Sequence, residues 1–496
     1  MSKPCAIGLD IGLSTTKAVA IAPDGRVIAS ASRESVNLLP RPRWVERDPD
    51  VFRRVIFETL ADLSTRLEGY DVVAIAPTAH GDGAWVLDAA GRALRPGILS
   101  LDSRARATLT ALCDGARGER IAQASGQLPM VSSAPVLLRW MKDSEPDTYA
   151  RIRWLVFAKD MARLWLTGDI CQDYTEVSSG LTDVETQEVS AELFEIYQIP
   201  ELAGVVPRVR RSTEVAGGLT DAAASATGLP AGTPVAAGLH DIVAASVGAG
   251  AVHPGDVSVV AGSYCVNQCI ADAPLRGEWM SRSFTSQGAW NLITASPSSS
   301  TNLDWFAHVL LPDLVQESQA KGGGSFGFLD GIGADPDALT ISSPYYLPFL
   351  YGSPLPVDAS AGLIGMRAWH DRSDAIRAVV EGIALNHRQH LERLPMSPIA
   401  VPKVMGGISR NVYWAQLFAD LMGRDIEISA TAEPGAQGAA MAAFVSVGFF
   451  DSLAAAGRAM VRPGRIVSPG ANVELMQGRY QRYRSLLDHL TGWWGA

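Results

Sequence analysis

Residues 6–21 read AIGLDIGLSTTKAVAI, in which an acidic residue, a turn of small residues and a lysine lie between two apolar runs. The aliphatic content predicts buried strands over residues 7–11 and 17–21, with the turn between them. The sequence PDG at residues 23–25 predicts a further hairpin into residues 27–31. The segment therefore indicates a sheet that begins with consecutive hairpin-connected strands.

The turn between the first two strands has the composition of a phosphate-binding loop. Backbone N–H groups in a loop of small residues can converge on an anion, and Ser14, Thr15 and Thr16 add hydroxyl donors. Asp10 at the strand end would face the same anion, so its carboxylate would have to act through a metal ion. An ordinary β-hairpin with an acidic residue beside its turn is the alternative, and these residues alone leave both interpretations open.

Length and charge limit the class of protein. A chain of 496 residues exceeds the roughly 250–300 residues at which one hydrophobic core stops growing, so at least two domains are expected. A cleft between domains is the natural place for a ligand. The net charge of -10 argues against nucleic acid or an anionic membrane as partner. We find neither an apolar run near the roughly 20 residues of a membrane span nor a signal segment, so a cytoplasmic protein is expected.

Cysteine and histidine positions indicate neither a disulfide framework nor a zinc site. The five cysteines are scattered without a CxxC pair, and packing explains Cys265 and Cys269 better than metal binding. His387 and His390 lie one turn apart on a predicted helix, but no acidic or cysteine partner is suitably spaced.

The strand–turn–strand pattern of the N-terminus recurs near the middle of the chain. Residues 256–270 read DVSVVAGSYCVNQCI, with a turn at Gly262 and Ser263. Two such hairpins could clamp one polyphosphate from two sides, and the repeat suggests an internal duplication. A third glycine loop, VMGGISRN at residues 404–411, follows a predicted strand and precedes a predicted helix. Gly406 and Gly407 in this loop permit close approach of a ligand.

Alternating strand and helix signals indicate an α/β architecture. Asp48 and Pro49 have the cap and the early proline of an amphipathic helix. Residues 71–76 predict a buried strand that leads into the glycine loop TAHGDG at residues 78–83. Residues 147–166 predict one helix.

Asp241 lies where a predicted strand gives way to an apolar helix. Residues 234–249 read PVAAGLHDIVAASVGA, which places Asp241 at the first position of that helix. A structural cap is one interpretation. A carboxylate at this position, just before the second phosphate-type hairpin, could also accept a proton from a substrate hydroxyl during phosphoryl transfer.

Together these motifs resemble those of the FGGY carbohydrate kinases, members of the actin and hexokinase superfamily, over nearly the whole chain. The similar segments in the first half are DIGLSTTK at 10–17, RWVERDP at 43–49, TAHGDG at 78–83, LDSR at 101–104, QDYTEVSS at 172–179 and GLHD at 238–241. Those in the second half are AGS at 261–263, YLPFLYG at 346–352, RAVVEG at 377–382 and MGGISRN at 405–411. Four residues depart from the family's usual ones, namely Leu13, Tyr264, Ile408 and Asn411. The resemblance implies an α/β protein with two actin-like (ribonuclease H-like) domains, 1–250 and 251–496, around a central cleft for nucleotide and sugar.

The resemblance also implies roles for individual residues. Asp241 is the implied catalytic base, and the implied cofactors are ATP and Mg²⁺, with Asp10 holding the metal ion through water. The implied substrate-binding residues are His80, Gly81, Asp102, Arg104 and Asp241. The implied nucleotide-binding residues are Asp10, Gly12, Ser14, Thr15, Thr16, Lys17, Gly262, Ser263, Gly406, Gly407 and Asn411. There are alternatives to these substrate-binding roles. His80 could be a buried histidine with a structural role, and Asp102 and Arg104 could pair only with each other.

Four segments narrow the implied substrate to a short acyclic polyol or ketose. Residues 97–104, 137–146, 295–306 and 347–353 resemble the L-xylulose or 3-keto-L-gulonate kinases and the erythritol kinases. The implied activity is ATP-dependent phosphorylation of a ketopentose such as L-xylulose or of a related keto-acid sugar, with an erythritol-type polyol kinase as the alternative. A nucleotide switch or sugar sensor of the same fold without kinase activity is a further alternative. The implied partner is a small sugar or polyol, and association into a homodimer is left open.

Overall fold

A computed structural model describes residues 2–322, 326–334, 339–352 and 357–495. Ser353, which ends the family-like segment 347–353, lies outside the described residues. Within these ranges, no helix has both the length and the apolar character needed to cross a membrane.

Strands and helices alternate along most of the chain. The strands are β1 Lys3–Ile11, β2 Thr15–Ile21, β3 Val27–Glu34, β4 Glu46–Arg47, β5 Tyr70–Ala79, β6 Trp85–Leu87, β7 Gly97–Ile98, β8 Trp154–Val156, β9 Cys171–Asp173, β10 Arg208–Arg210, β11 Val215–Gly218, β12 Pro234–Ala236, β13 Leu239–His240, β14 Val257–Ala261, β15 Cys265–Ala271, β16 Met280–Ser283, β17 Trp290–Ser296, β18 Tyr345–Leu347, β19 Gly362–Ile364, β20 Lys403–Met405, β21 Ile426–Ile428 and β22 Arg465–Val467. The α-helices are α1 Pro49–Ser64, α2 Arg106–Leu112, α3 Ala116–Ser125, α4 Ala134–Ser144, α5 Pro146–Tyr149, α6 Ala158–Thr167, α7 Tyr174–Val177, α8 Ala191–Ile196, α9 Asp221–Thr227, α10 Asp241–Gly248, α11 Ser300–Leu310, α12 Pro312–Ala320, α13 Arg372–Leu391, α14 Val412–Met422, α15 Pro434–Ser446, α16 Leu453–Met460 and α17 Val473–Trp494. Short 3-10 helices occupy Pro200–Leu202, Gly327–Ala334 and Ile408–Arg410.

The first large sheet begins with the hairpins predicted at the N-terminus. β1 and β2 are antiparallel, with Asp10 opposite Lys17, and β3 pairs antiparallel with β2. β5 runs parallel to β1 on the other side. The path through the sheet is β11–β12–β5–β1–β2–β3, and β13 also pairs with β5. The prediction of consecutive hairpin-connected strands is confirmed.

Three strand ends meet at one edge of this sheet. Thr78 on β5 lies opposite Asp10 on β1, and His240 on β13 lies opposite Ala79 on β5. The carboxyl ends of parallel strands are where open α/β sheets place their ligands. Asp10, His80 and Asp241 therefore come from neighbouring strand ends.

Both faces of β1 are covered, which explains its nearly continuous apolar sequence. Ile7 and Leu9 belong to a buried cluster with Phe52 of α1. Ala6, which points to the opposite face of the pleat, belongs to a second cluster with Val243 of α10 and residues of α15. β1 is thus the central layer between α1 and the pair α10 and α15.

The described chain forms two compact units whose limits differ from a simple division of the sequence. The first unit comprises residues 1–254, 270–292 and 431–462, and the second comprises 255–269, 293–430 and 463–496. The domain limits expected from the sequence were 1–250 and 251–496. The difference has a physical reason in segment 431–462, because α15 lies in that segment and packs against β1, β5 and α10 of the first unit.

Glycines allow α15 to approach its neighbours very closely. A Cβ atom at Gly438 would lie 1.9 Å from the carbonyl oxygen of Ala244 in α10, and one at Gly248 would lie 1.9 Å from the carbonyl oxygen of Pro434. A Cβ atom at Gly8 of β1 would likewise lie 1.9 Å from the carbonyl oxygen of Ala436. Backbone meets backbone at these three places, so the start of α15 is fixed relative to β1 and α10.

A second large sheet repeats the strand order of the first. Its strands follow the order β16–β17–β15–β14–β20–β21–β22, in which β14 and β15 form the predicted second hairpin. β20 is parallel to β14, and β21 is parallel to β20. Each unit therefore has a hairpin followed by a parallel strand on the far side of its first strand, which supports the suggested internal duplication.

The predicted helix over residues 147–166 is wrong. The structure places α5 at its start and α6 at its end, with the strand β8 between them. Residues 154–156 are Trp-Leu-Val, and they pair antiparallel with β6. Tertiary pairing with β6 therefore outweighs the helical spacing of the surrounding apolar residues.

Candidate active site

The predicted phosphate turn is held from behind by an arginine that sequence reasoning missed. The guanidinium of Arg47 donates hydrogen bonds to the carbonyl oxygens of Leu13 at 2.9 Å and Gly12 at 3.4 Å, and to Asn37 Oδ1 at 2.7 Å. Asn37 Nδ2 donates to the same Leu13 carbonyl at 2.9 Å. Since Arg47 is 1% exposed, these contacts fix the turn within the protein interior.

The remaining carbonyl oxygens of the turn are also satisfied. The N–H of Ser35 donates to the Ser14 carbonyl, and the N–H of Gly12 donates to the Thr15 carbonyl, both at 2.9 Å. Carbonyl dipoles that are bound by the protein repel an incoming anion less than free ones would. Thr16 is buried, and its hydroxyl meets that of Ser35 at 3.0 Å, so it supports the turn from within.

Lys17 has a partner that is distant in sequence. Its Nζ lies 2.9 Å and 3.1 Å from the two carboxylate oxygens of Glu433, the residue before α15. The Lys17 side chain remains 38% exposed. No local motif relates residues 17 and 433, and the arrival of α15 at β1 brings them together.

Asp10 lies in an acidic setting that suits a cation. Burial, together with the charges of Asp241 and Glu433, raises the pKa of Asp10 to about 7 against the opposing charge of Lys17. A Cβ atom at Gly435 would lie 2.5 Å from Asp10 Oδ2, so only glycine leaves room for this carboxylate beside the first turn of α15. A cation would relieve the repulsion among these carboxylates.

Asp241 is the first residue of α10, as predicted, but it is not the cap of that helix. The cap is His240. Asp241 Oδ1 accepts a hydrogen bond from the N–H of Ile242 at 2.7 Å and lies 2.9 Å from His240 Nδ1. The Asp241 side chain is 38% exposed, which leaves it accessible to a ligand.

A buried network of charges supports the turn that carries Asp241. Lys159 Nζ lies 2.7 Å from Asp160 Oδ1 and 2.8 Å from Asp173 Oδ1, and all three side chains are fully buried. Thr175 donates its hydroxyl to Asp173 Oδ2 at 2.7 Å and accepts the N–H of His240 at 2.8 Å. Through Thr175, the network holds the backbone immediately before the candidate base.

His80 follows β5 and is an uncharged histidine. Its backbone N–H donates to the carbonyl of Ile11 at 3.0 Å, and its side chain is almost fully buried. Burial, reinforced by the charge of Arg47, lowers the pKa of His80 to about 3. Among described residues, no hydrogen bond of standard geometry engages either ring nitrogen. Its ring therefore retains hydrogen-bonding capacity for a ligand.

Asp102 and Arg104 pair tightly with each other. Arg104 Nη2 lies 2.7 Å from Asp102 Oδ2 and 2.7 Å from Glu46 Oε1, and its guanidinium lies 3.8 Å from the ring centre of Trp44. Asp102 Oδ2 also accepts the N–H of Val45 at 2.7 Å. This geometry fits the alternative in which the pair shapes the pocket wall. Arg104 Nη1 is nevertheless buried with no partner in the described part of the chain, which leaves one donor for a ligand.

The second unit contains the other predicted nucleotide residues. Gly262 and Ser263 form the turn between β14 and β15. The carbonyl of Gly262 accepts hydrogen bonds from the N–H and the hydroxyl of Ser300 at 3.0 Å and 2.7 Å. The carbonyl of Ser263 accepts one from Thr301 Oγ1 at 3.1 Å. As in the first turn, the carbonyl oxygens are bound by the protein.

The glycine loop after β20 lies against the second turn. Gly406 has a φ angle of 109°, and a Cβ atom there would lie 2.2 Å from the carbonyl oxygen of Ala261. A Cβ atom at Gly407 would have no neighbour within 4 Å in the described part of the chain. Asn411 caps α14 by accepting the N–H of Trp414 at 2.9 Å, a structural task that the motif did not predict.

Comparison with known proteins identifies the family. Models of the N-terminal and C-terminal domains of the FGGY family of carbohydrate kinases match residues 5–248 and 265–447. The chain belongs to the FGGY family of carbohydrate kinases. As an FGGY kinase it is an enzyme that transfers a phosphoryl group from ATP to a carbohydrate. The predicted family, two-domain α/β fold class and kinase activity are confirmed.

Individual relatives match this FGGY kinase over almost its full length. It is similar to L-xylulose/3-keto-L-gulonate kinase of Escherichia coli strain K12, with 30% identity over 98% of this chain and 97% of the relative. It is also similar to erythritol kinase of Brucella abortus strain 2308, with 26% identity over 90% of this chain and 88% of the relative. The crystal structure of xylulose kinase from Rhodospirillum rubrum matches with a TM-score of 0.86 and 26% identity, over 99% of this chain and 100% of that one.

Proposed function

We propose that this kinase phosphorylates a hydroxyl of a short acyclic ketose, with L-xylulose or a related keto-acid sugar as its substrate. The similarity to L-xylulose/3-keto-L-gulonate kinase over almost the whole of both chains supports this substrate class. An erythritol-type polyol is the second candidate, and the similarity to erythritol kinase supports it less strongly because the identity is lower and the coverage is shorter.

Asp241 acts as the general base in this proposal. The observation that carries it is a partly exposed carboxylate, bound through one oxygen, at the start of α10 and beside three neighbouring strand ends. As the sugar oxygen bonds to the γ-phosphorus and the bond to the ADP oxygen breaks, the hydroxyl proton passes to Asp241 Oδ2. A carboxylate suffices as base because the proton leaves the hydroxyl late in a loose transition state.

The phosphate turn and its neighbours bind the nucleotide in this proposal. In the first unit these are Gly12, Ser14, Thr15 and Lys17, while the buried Thr16 supports the turn from within. In the second unit they are Gly262, Ser263, Gly406, Gly407 and Asn411. Asp10, in its acidic surroundings, would hold Mg²⁺, and the ion when bound would neutralise phosphate charge. His80, together with Gly81, Asp102 and Arg104, forms the sugar side, where the neutral ring of His80 is suited to hydrogen-bond a hydroxyl.

A substrate panel tests the sugar assignment. Release of ADP would be measured with pentuloses, hexulosonates and tetritols, each with a control lacking sugar. We expect kcat/KM for L-xylulose or a keto-acid sugar to exceed that for erythritol by at least about tenfold, because one additional pocket contact supplies that much discrimination. A higher kcat/KM for erythritol would show that the preferred substrate is a polyol and not a ketose.

Metal removal tests the role of Asp10. Chelation is expected to abolish activity, and Mg²⁺ is expected to restore it. The Asp10→Asn variant is expected to need about 10- to 100-fold more Mg²⁺ for half-maximal activity, the usual effect of losing a partner that acts on a metal through water. Asp24→Asn is the matched control, since Asp24 is an exposed carboxylate on a neighbouring turn of the same sheet. Equal Mg²⁺ requirements in the two variants would contradict the assignment.

We also propose a cytoplasmic location and leave the oligomeric state to measurement. All five cysteines are free, and four of them are buried, which suits a reducing compartment. Trp494 of α17 packs against Phe349 with ring centres 5.9 Å apart, so the C-terminal helix uses its own unit as a partner. Trp493 is 69% exposed, and light scattering would determine whether it supports a homodimer.

A further inference from the structure

His240 occupies a confined position beside the candidate base. Its side chain is 7% exposed, and its backbone N–H is bound by Thr175. A Cβ atom at Gly81 would lie 1.8 Å from His240 Nε2, so the absence of a side chain at Gly81 makes room for this ring. The ring therefore has little freedom to move away from Asp241.

His240 contacts one carboxylate oxygen of Asp241, Oδ1, and leaves the other, Oδ2, without this contact. His240 Nδ1 lies 2.9 Å from Asp241 Oδ1, the oxygen that also accepts the N–H of Ile242 at 2.7 Å. The N–H of Ile242 also lies 3.4 Å from His240 Nδ1, but the shorter contact with Asp241 assigns the Nδ1 proton to Oδ1. Two donors on that oxygen then restrict rotation of the carboxylate. In the described part of the chain, Asp241 Oδ2 has no hydrogen bond and is available for a substrate hydroxyl.

Glu176 is a buried carboxyl group that interacts electrostatically with His240. It is fully buried, and neither of its carboxylate oxygens has a hydrogen-bond partner among the described residues. Burial raises the pKa of Glu176 to about 8, while His240 and Lys159 act in the opposite direction. Burial lowers the pKa of His240, but Glu176, the hydrogen bond to Asp241, and the charges of Asp241 and Asp82 outweigh it and raise the pKa overall.

The other titratable groups near His240 are already paired or are neutral. Asp82 is already paired with Arg282, whose Nη2 lies 3.2 Å from Asp82 Oδ1. His80 is neutral, and Lys159 is held by Asp160 and Asp173.

We propose that His240 is a positioning residue that fixes the carboxylate of Asp241 through an Nδ1–H donor. The inference rests on the proposed role of Asp241 as the base. In this arrangement Oδ1 is held by the protein, and Oδ2 alone receives the substrate proton.

Two amide substitutions at position 240 test this geometry. The amide N–H of asparagine lies near the position of Nδ1, whereas that of glutamine lies near the position of Nε2. We expect His240→Ala and His240→Gln to lower kcat by about 10- to 100-fold with little change in the KM for sugar, since misplacing a reacting group costs this much. His240→Asn should restore kcat to within about fivefold of the natural enzyme. Equal kcat values for the asparagine and glutamine variants would overturn the proposal, and the comparison remains valid if the alanine variant fails to fold.

Asp241→Asn distinguishes failure of this inference from failure of the proposed function. If the Asp241→Asn variant stays active, Asp241 is not the base. The positioning role of His240 would then be overturned as well. An inactive Asp241→Asn variant together with a fully active His240→Ala variant would leave the base in place and overturn only the role of His240.

Discussion

Replacement of Asp241 by asparagine is expected to lower sugar-dependent ATP turnover by at least about a hundredfold, the scale of a lost general base. Asparagine preserves the shape of the side chain and can still accept the N–H of Ile242, which Asp241 Oδ1 accepts at 2.7 Å. It cannot take up the hydroxyl proton at neutral pH. The loss should therefore appear in kcat, measured by coupled ADP release, with little change in the KM for ATP.

Asp221→Asn is a matched control for this substitution. Asp221 is likewise the first residue of a helix, α9, and follows a side-chain cap at Thr220, but it is exposed and lies outside the proposed site. The control should keep wild-type turnover and a wild-type melting temperature. A kcat for Asp241→Asn within about threefold of the control would contradict the assignment of Asp241 as base.

Replacement of Gly438 by alanine is expected to lower the free energy of unfolding by about 3 kcal/mol, the upper part of the range for overpacking a tight interior. The new Cβ atom would lie 1.9 Å from the carbonyl oxygen of Ala244 and 2.9 Å from the backbone nitrogen of Gly248. Backbone atoms cannot rotate away as a flexible side chain can. α10 and α15 must therefore separate, and turnover should fall as well because α15 begins beside Asp10.

Gly492→Ala is the control for the general effect of adding a methyl group to a helical glycine. Gly492 lies in α17, and among the described residues a Cβ atom there would have no neighbour within 4 Å, so alanine should be neutral or stabilise the helix by up to about 1 kcal/mol. Urea or thermal unfolding of the two variants would measure the difference. Equal unfolding free energies would contradict the close contact between α10 and α15.

The local elements of the first site were predictable because their signals lie within short segments. The aliphatic runs and the small-residue turn around Asp10 predicted β1, β2 and their connection, and the structure confirms them. The apolar helix beginning at Asp241 was also predicted correctly. Strand periodicity and turn chemistry act over a few residues, so one chain is enough to recognise them.

Contacts between distant segments could not be predicted in the same way. Glu433 meets Lys17, and Gly435 makes room for Asp10, only because α15 packs on β1. The spacing of small residues at Gly435 and Gly438 is the one signal that could have indicated a helix with a very close neighbour.

Side chains with a structural role were the hardest to distinguish, from sequence alone, from side chains that bind ligands. Asp102 and Arg104 look like ligands in the motif, yet each is largely satisfied by the other and by neighbouring groups. Asn411 similarly caps a helix. Residue type and spacing do not reveal how many hydrogen bonds a side chain has already made, because that depends on the packed structure.

The most direct test of the central claim is the stoichiometry of phosphoryl transfer. ADP release would be followed enzymatically and sugar phosphate by phosphorus NMR, in the same reaction and with L-xylulose present or absent. We expect ADP release to require the sugar, and ADP and sugar phosphate to form in equal amounts. ADP release at the same rate without sugar, with inorganic phosphate as the product, would contradict this claim.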